Sequence, residues 1–251
     1  MSSATQTKGL TESELKQFDE QGFLLKRGLV SPAMAAQISA ECHALHEQMA
    51  AHTQPEVHVS WEVQKENRPK RIRQLMHSEK VSAGLNSVLR SDEVLDVVES
   101  ILGPDVSLFH SKLLMKAAHD GTITPWHQDY AYWKQANNRP AYVNAMMAID
   151  PATKENGAIQ FVPGSHKQGL IPHDRRNEAF GVFLPGYFGD RKDAVLCEMQ
   201  PGDIVFFGSL IIHGSDGNRS DKDRRANTVA YTVTGVDPKH CREVLRGKPL
   251  A

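Results

Sequence analysis

The run Gln200-Pro201-Gly202-Asp203-Ile204-Val205-Phe206-Phe207-Gly208-Ser209-Leu210-Ile211-Ile212-His213 reads as a turn, a strand, a break and a second strand. Gln200-Pro201-Gly202-Asp203 supplies the turn chemistry. Asp203 to Phe207 and Leu210 to His213 are short apolar runs bounded by turn formers, the pattern of buried strands. The second run ends on a histidine that immediately precedes a glycine.

The same rhythm extends in both directions. Strand-like runs occupy Val106 to Met115, Thr124 to Tyr130, Tyr142 to Ile149, Ala158 to Val162, Ala194 to Met199 and Asn227 to Thr234. Glu155-Asn156-Gly157 and Pro163-Gly164-Ser165 separate them. About eight strands with tight turns predict a jelly roll, a cupin-like double-stranded β-helix, over residues 106–235. Residues 166–193 interrupt it as a long insertion containing Phe180, Phe183, Tyr187 and Phe188. An insertion of that length predicts a mobile lid over an open site.

Upstream the period is helical. Thr11 and Glu14 make a capping box for a helix that Gly22 stops, and Phe23 to Leu29 reads as a short strand. Ser31-Pro32 opens a second helix with an apolar stripe through Met34, Ile38, Cys42, Leu45 and Met49. Ser91 to Leu102 forms a further helix ended by Gly103-Pro104. Residues 52–82 read as a polar surface loop whose Arg68, Lys70, Arg71 and Arg73 are solvated or greet an anionic substrate. The expectation is a mainly β chain in which 1–105 is a mostly helical layer, the whole of 1–251 forming a single domain.

The chain has 251 residues, with 29 basic and 30 acidic side chains and a formal net charge of −1. That balance points to neither a nucleic-acid nor a membrane surface. The three cysteines, Cys42, Cys197 and Cys241, show no paired spacing, which argues against a disulfide framework or a cysteine metal site. The N-terminus has no signal-peptide core and no stretch approaches the roughly 20 apolar residues of a membrane span, so a cytoplasmic protein is expected.

Within Trp126-His127-Gln128-Asp129-Tyr130, an extended strand would project His127 and Asp129 from one face and turn Gln128 away. His-x-Asp alone is a weak signal, expected about once by composition. His213 is the best-placed third ligand, and two histidines with one carboxylate form the facial triad of non-haem Fe(II) oxygenases. A zinc site is the competing metal. His43 and His46, three apart on a helix, read as a solvated edge. A bidentate guanidinium able to grip a carboxylate lies 11 or 12 residues past His213, at Arg224 or Arg225. If Arg224 faces inward, Ala226, Thr228 and Ala230 share its face, while Val229, Tyr231 and Val233 face the other way.

The chain resembles the phytanoyl-CoA dioxygenase family of Fe(II)- and 2-oxoglutarate-dependent oxygenases. The resemblance rests on His127-Gln128-Asp129-Tyr130, on Glu155-Asn156-Gly157-Ala158-Ile159-Gln160 leading into Pro163-Gly164-Ser165-His166, on Pro201-Gly202-Asp203 before Phe206-Phe207, and on His213-Gly214-Ser215 followed by Arg224-Arg225-Ala226. It implies that His127, Asp129 and His213 hold Fe(II), and that Arg224 binds the 2-oxoglutarate carboxylate with Ser215 and Gln128 assisting. It also implies that Lys112 and Asn144 line the co-substrate pocket. The activity implied is hydroxylation of a C–H bond in a small, polar metabolite, consuming O2 and 2-oxoglutarate and releasing succinate and CO2. An Asp at position 129, where related halogenases have a small residue, implies oxygenation. The alternatives are a non-catalytic jelly-roll binding protein and a zinc-dependent cupin-like enzyme.

Overall fold

The computed structural model describes residues 8–45, 48–49, 57–62, 70–133, 141–177, 181–185, 191–236 and 243–248. Its helices are α1 (Glu12–Gln21), α2 (Pro32–His43), α3 (Ala83–Leu89), α4 (Asp92–Leu102) and the single turn α5 (Tyr130–Trp133). The strands are β1 (Phe23–Lys26), β2 (Val59–Trp61), β3 (Ile72–Met76), β4 (Val106–Lys116), β5 (Thr124–His127), β6 (Tyr142–Ala148) and β7 (Ile159–Phe161), then β8 (Asp174–Asn177), β9 (Gly181–Phe183), β10 (Val195–Leu196), β11 (Ile204–Gly208), β12 (His213–Ser215), β13 (Arg224–Val233) and β14 (Glu243–Arg246).

Two sheets face each other. The larger runs β1-β11-β6-β13-β4-β3-β2, with β14 pairing the first half of β4; the smaller runs β10-β7-β12-β5. All pairings are antiparallel. Alternation along the strands divides the core. Phe206, Val229 and Tyr231 pack with Ile38, Val94 and Val98 under the helices, whereas Val205, Phe207 and Ala226 pack with Phe161 and Ile211 between the sheets. The expected jelly roll with helices against one face is therefore present.

The helices form where their ends are satisfied. Thr11 and Glu14 close the capping box of α1, and Gly22 ends it in the left-handed region at φ 85°. Ser91 accepts from the Val94 N–H to start α4. That helix buries Val94, Leu95, Val97 and Val98, each contributing about 1.5–3 kcal/mol.

Several boundaries differ from expectation. Part of 52–82 is structured: β2 and β3 extend the large sheet, and α3 follows, a helix the sequence reading missed. The first 105 residues thus contribute strands as well as a helical layer, and β14 carries the large sheet beyond residue 235. Lys70 sits 4.2 Å over the Trp61 ring and Arg71 pairs with Asp223, while Arg68 lies outside the described residues. The strand expected at Thr124 to Tyr130 ends at His127, because Gln128 gives its N–H to His173 Nε2 at 2.9 Å and the chain turns into α5. The strand expected at Leu210 to His213 instead runs His213–Ser215, since Ile212 N–H is taken by Ser165 Oγ at 2.9 Å.

The insertion contains the β8–β9 hairpin. It docks through Tyr132, whose hydroxyl donates to Val182 O at 2.7 Å and accepts from Val182 N–H at 3.0 Å. Phe180, Tyr187 and Phe188 lie outside the described residues. Cys42 and Cys197 are buried free thiols; Cys241 is outside the described residues. No described helix is long and apolar enough to cross a membrane.

Candidate functional site

A cavity of about 670 Å³ opens between the two sheets, within the roughly 300–1,000 Å³ of small-molecule sites. His127 ends β5 and His213 begins β12, and the two are directly opposed in the ladder. Asp129 lies two residues past the strand, where the turn into α5 carries its carboxylate back toward both rings. One ligand atom from each of the three falls within 4.8 Å of the others, the only such group of three or more among the described residues. His43 is exposed on α2, and His46 lies outside the described residues.

Each imidazole is held in one tautomer. His127 Nδ1 donates to Pro125 O at 2.8 Å, and His213 Nδ1 donates to Ile211 O at 3.0 Å. With Nδ1 protonated, both Nε2 lone pairs face the Asp129 oxygens, 3.5 Å away for His127 and 3.7 Å for His213. Asn144 Nδ2 donates to Asp129 Oδ2 at 2.9 Å and fixes that carboxylate. Burial pushes the Asp129 carboxyl upward, but Lys112 and the two imidazoles more than offset it, so it stays well below the ordinary range. Burial, helped by His127, pulls His213 down to about 4. An ionised carboxylate beside a neutral imidazole is the protonation state that a cation requires.

At the other end, Arg224 is 2% exposed. Its Nη2 donates to Gly157 O at 2.6 Å, while its buried Nε has no partner. Burial lowers its pKa to about 10. Gly157 can place that carbonyl because its φ is 76° and any Cβ would lie 2.3 Å from Asp216 O. Arg225 faces the opposite side, where Asp150 accepts from its Nε at 2.8 Å and from its Nη2 at 2.7 Å, and Ser39 O accepts from its Nη1. The alternation expected along β13 holds: Thr228 lines the cavity with Arg224, while Val229 and Tyr231 enter the core under the helices.

Of the other expected residues, Lys112 and Ser215 line the cavity. Gln128 does not; its amide donates to Gly169 O at 2.9 Å and Leu210 O at 2.6 Å and accepts from Ile171 N–H, tying three loop segments together. Asn144 stands behind Asp129 and is fully buried. Sequence reasoning missed Glu62, Lys116, Thr122 and Gly157. Lys116 was legible by alternation, since His110, Lys112, Leu114 and Lys116 share one face of β4 and all line the cavity. Phe109, Tyr132 and Trp133 form an aromatic wall beside the histidines.

The family described as phytanoyl-CoA dioxygenase (PhyH) matches residues 18–226. The chain is 29% identical over 176 residues to L-proline trans-4-hydroxylase from Streptomyces griseoviridis, covering 61% of this chain and 64% of that one. It is 35% identical over 143 residues to the human peroxisomal phytanoyl-CoA dioxygenase, covering 53% of this chain and 41% of that one. The chain thus spans less than two thirds of the length of either relative. The crystal structure of EctD from S. alaskensis with 2-oxoglutarate and 5-hydroxyectoine superposes with a TM-score of 0.74 at 19% identity, covering 100% of this chain and 89% of that one.

Proposed function

This chain belongs to the phytanoyl-CoA dioxygenase family, and from that premise we propose that it is an Fe(II)- and 2-oxoglutarate-dependent dioxygenase hydroxylating a C–H bond of a small, polar molecule. The observation that carries this reading is a buried His127–Asp129–His213 donor set sharing one cavity with a buried guanidinium that has no carboxylate partner among the described residues.

The residues fit both groups. Two imidazoles and a carboxylate drawn together at one end of the cavity suit Fe(II). Arg224, with an unused Nε and a carbonyl on only one of its terminal nitrogens, suits a carboxylate. Iron bound here would supply dioxygen activation and the oxidative decarboxylation of 2-oxoglutarate to succinate and CO2.

The chain's own contribution is placement. His127, Asp129 and His213 ligate, and the Pro125 and Ile211 carbonyls hold the rings so that neither can rotate Nε2 away. Asn144 keeps one Asp129 oxygen in position. Arg224 orients the distal carboxylate, with Ser215 beside it and Lys112 adding positive charge toward Asp129. Phe109 and Trp133, both buried, and Tyr132 at the rim wall the side from which a substrate would approach. Buried free thiols at Cys42 and Cys197 suit the reducing cytoplasm.

Anaerobic titration of the protein with Fe(II) and then 2-oxoglutarate tests the reading. A weak visible metal-to-ligand charge-transfer band should appear in the wild type and be lost in Asp129→Ala. A folded, iron-loaded protein without that band would refute the proposal in favour of a binding protein or another metal enzyme.

A further inference from the structure

Lys116 ends β4 directly opposite Arg224 of β13 and lines the same cavity. It is 7% exposed. Its Nζ donates to Thr122 O at 2.5 Å, and no carboxylate lies within ion-pair distance among the described residues. The loop carrying Thr122 folds back tightly, since a Cβ on Gly121 would sit 2.7 Å from Lys116 Cβ. Glu62 lies nearby, but its two oxygens accept from Thr122 N–H at 3.3 Å and Thr122 Oγ1 at 2.9 Å. Two buried basic groups therefore face each other across one ladder position.

Like charges directly opposite in a sheet repel, and burial strengthens the repulsion. A single salt-bridged carboxylate would have relieved it, as Asp150 does for Arg225. No described carboxylate forms an ion pair with either group. Such a pair either leaves the lysine uncharged or takes a counter-charge, and the cavity that both residues line is where an anion would supply one.

Resting on the co-substrate reading above, we infer that Lys116 is a positioning residue for 2-oxoglutarate, a second cationic contact that shares the distal carboxylate with Arg224. Burial and the neighbouring Arg224 hold the Lys116 pKa well below its usual value, with Arg73 acting in the same direction and Glu62 and Asp216 opposing. Binding of the dicarboxylate adds the missing counter-charge. Proton uptake then accompanies binding, and affinity falls as pH rises through the depressed Lys116 value.

The test uses calorimetric titration of the anaerobic Fe(II)-loaded protein with 2-oxoglutarate and with 2-oxopentanoate, which lacks the distal carboxylate. Lys116→Met should weaken 2-oxoglutarate at least about tenfold and leave 2-oxopentanoate unchanged, with the pH dependence flattened. Lys116→Arg should restore most of the affinity, and melting curves of both variants separate the loss of the Nζ–Thr122 O bond from the loss of ligand contact. Equal weakening of both ligands, or of neither, would overturn the inference. If the wild type itself fails to prefer 2-oxoglutarate over 2-oxopentanoate, the co-substrate reading is wrong and the inference goes with it.

Discussion

His127 and His213 stand opposite one another in the β5–β12 ladder, with ring centroids 4.2 Å apart. Antiparallel pairing of two short strands makes neighbours of residues far apart in the chain. The third donor arrives differently, from the turn after β5, so all three depend on the small sheet keeping its register.

Replacing any of the three donors leaves two, too few to define a facial site. His127→Ala, Asp129→Ala and His213→Ala should each fail to retain stoichiometric iron and lose turnover while keeping the wild-type circular dichroism. Metal analysis after desalting checks this. Wild-type iron content in any one variant would remove that residue from the ligand set.

Arg224 and Arg225 are adjacent in sequence but face opposite sides of β13. Arg224→Ala removes a charge-assisted contact of about 1.5–3 kcal/mol, so KM for 2-oxoglutarate should rise about 10- to 150-fold with little change in stability. Arg225→Ala strands Asp150 and should destabilise the fold by about 3 kcal/mol while sparing that KM. Paired kinetics and urea denaturation separate the two, and exchanged phenotypes would mean a register error of one residue.

Asn144 touches Asp129 from behind at 2.9 Å. Outer-shell partners of this kind typically contribute 10- to 100-fold in metal affinity. Asn144→Ala should therefore weaken iron binding about 10- to 100-fold, read by competition with a chelator, without abolishing the charge-transfer band at saturating metal. An unchanged affinity would show that Asp129 is positioned by its backbone alone.

Asp203 gives a pH-dependent stability. Burial raises its pKa, but N–H groups of Gln200 and Gly28 and the Arg27 side chain outweigh burial and leave it lowered. A lowered folded value means that the carboxylate stabilises the fold above its unfolded pKa, about 4, and that this contribution is lost as pH falls through the folded value. Asp203→Ala should cost about 2–4 kcal/mol at pH 7, and the difference from wild type should shrink below about pH 4. Chemical denaturation across pH 3–7, expressed relative to about pH 4, reports it; a difference constant with pH would assign the loss to packing.

Side-chain chemistry and alternation determined much of this protein in advance. The turn at Gln200 to Asp203, the apolar period of β4, β6, β11 and β13, and the capping residues Thr11, Ser31 and Ser91 are local signals, and each formed the element they prescribe. Alternation also put Arg224 and Arg225 on opposite faces, but which of the two meets the cavity was decided by the register of β13 against β4 and β6. Other features were settled only by contacts between distant segments. β2 and β3 are strands because β4 offers an open edge, not because their own pattern is strong. Gln128 ties loops together because Gly169, Ile171 and Leu210 converge on it. The confrontation of Lys116 with Arg224 exists only once β4 and β13 are in register. Hydrogen-bond partners and buried charges belong to pairs of residues, and tertiary structure alone determines which pairs meet.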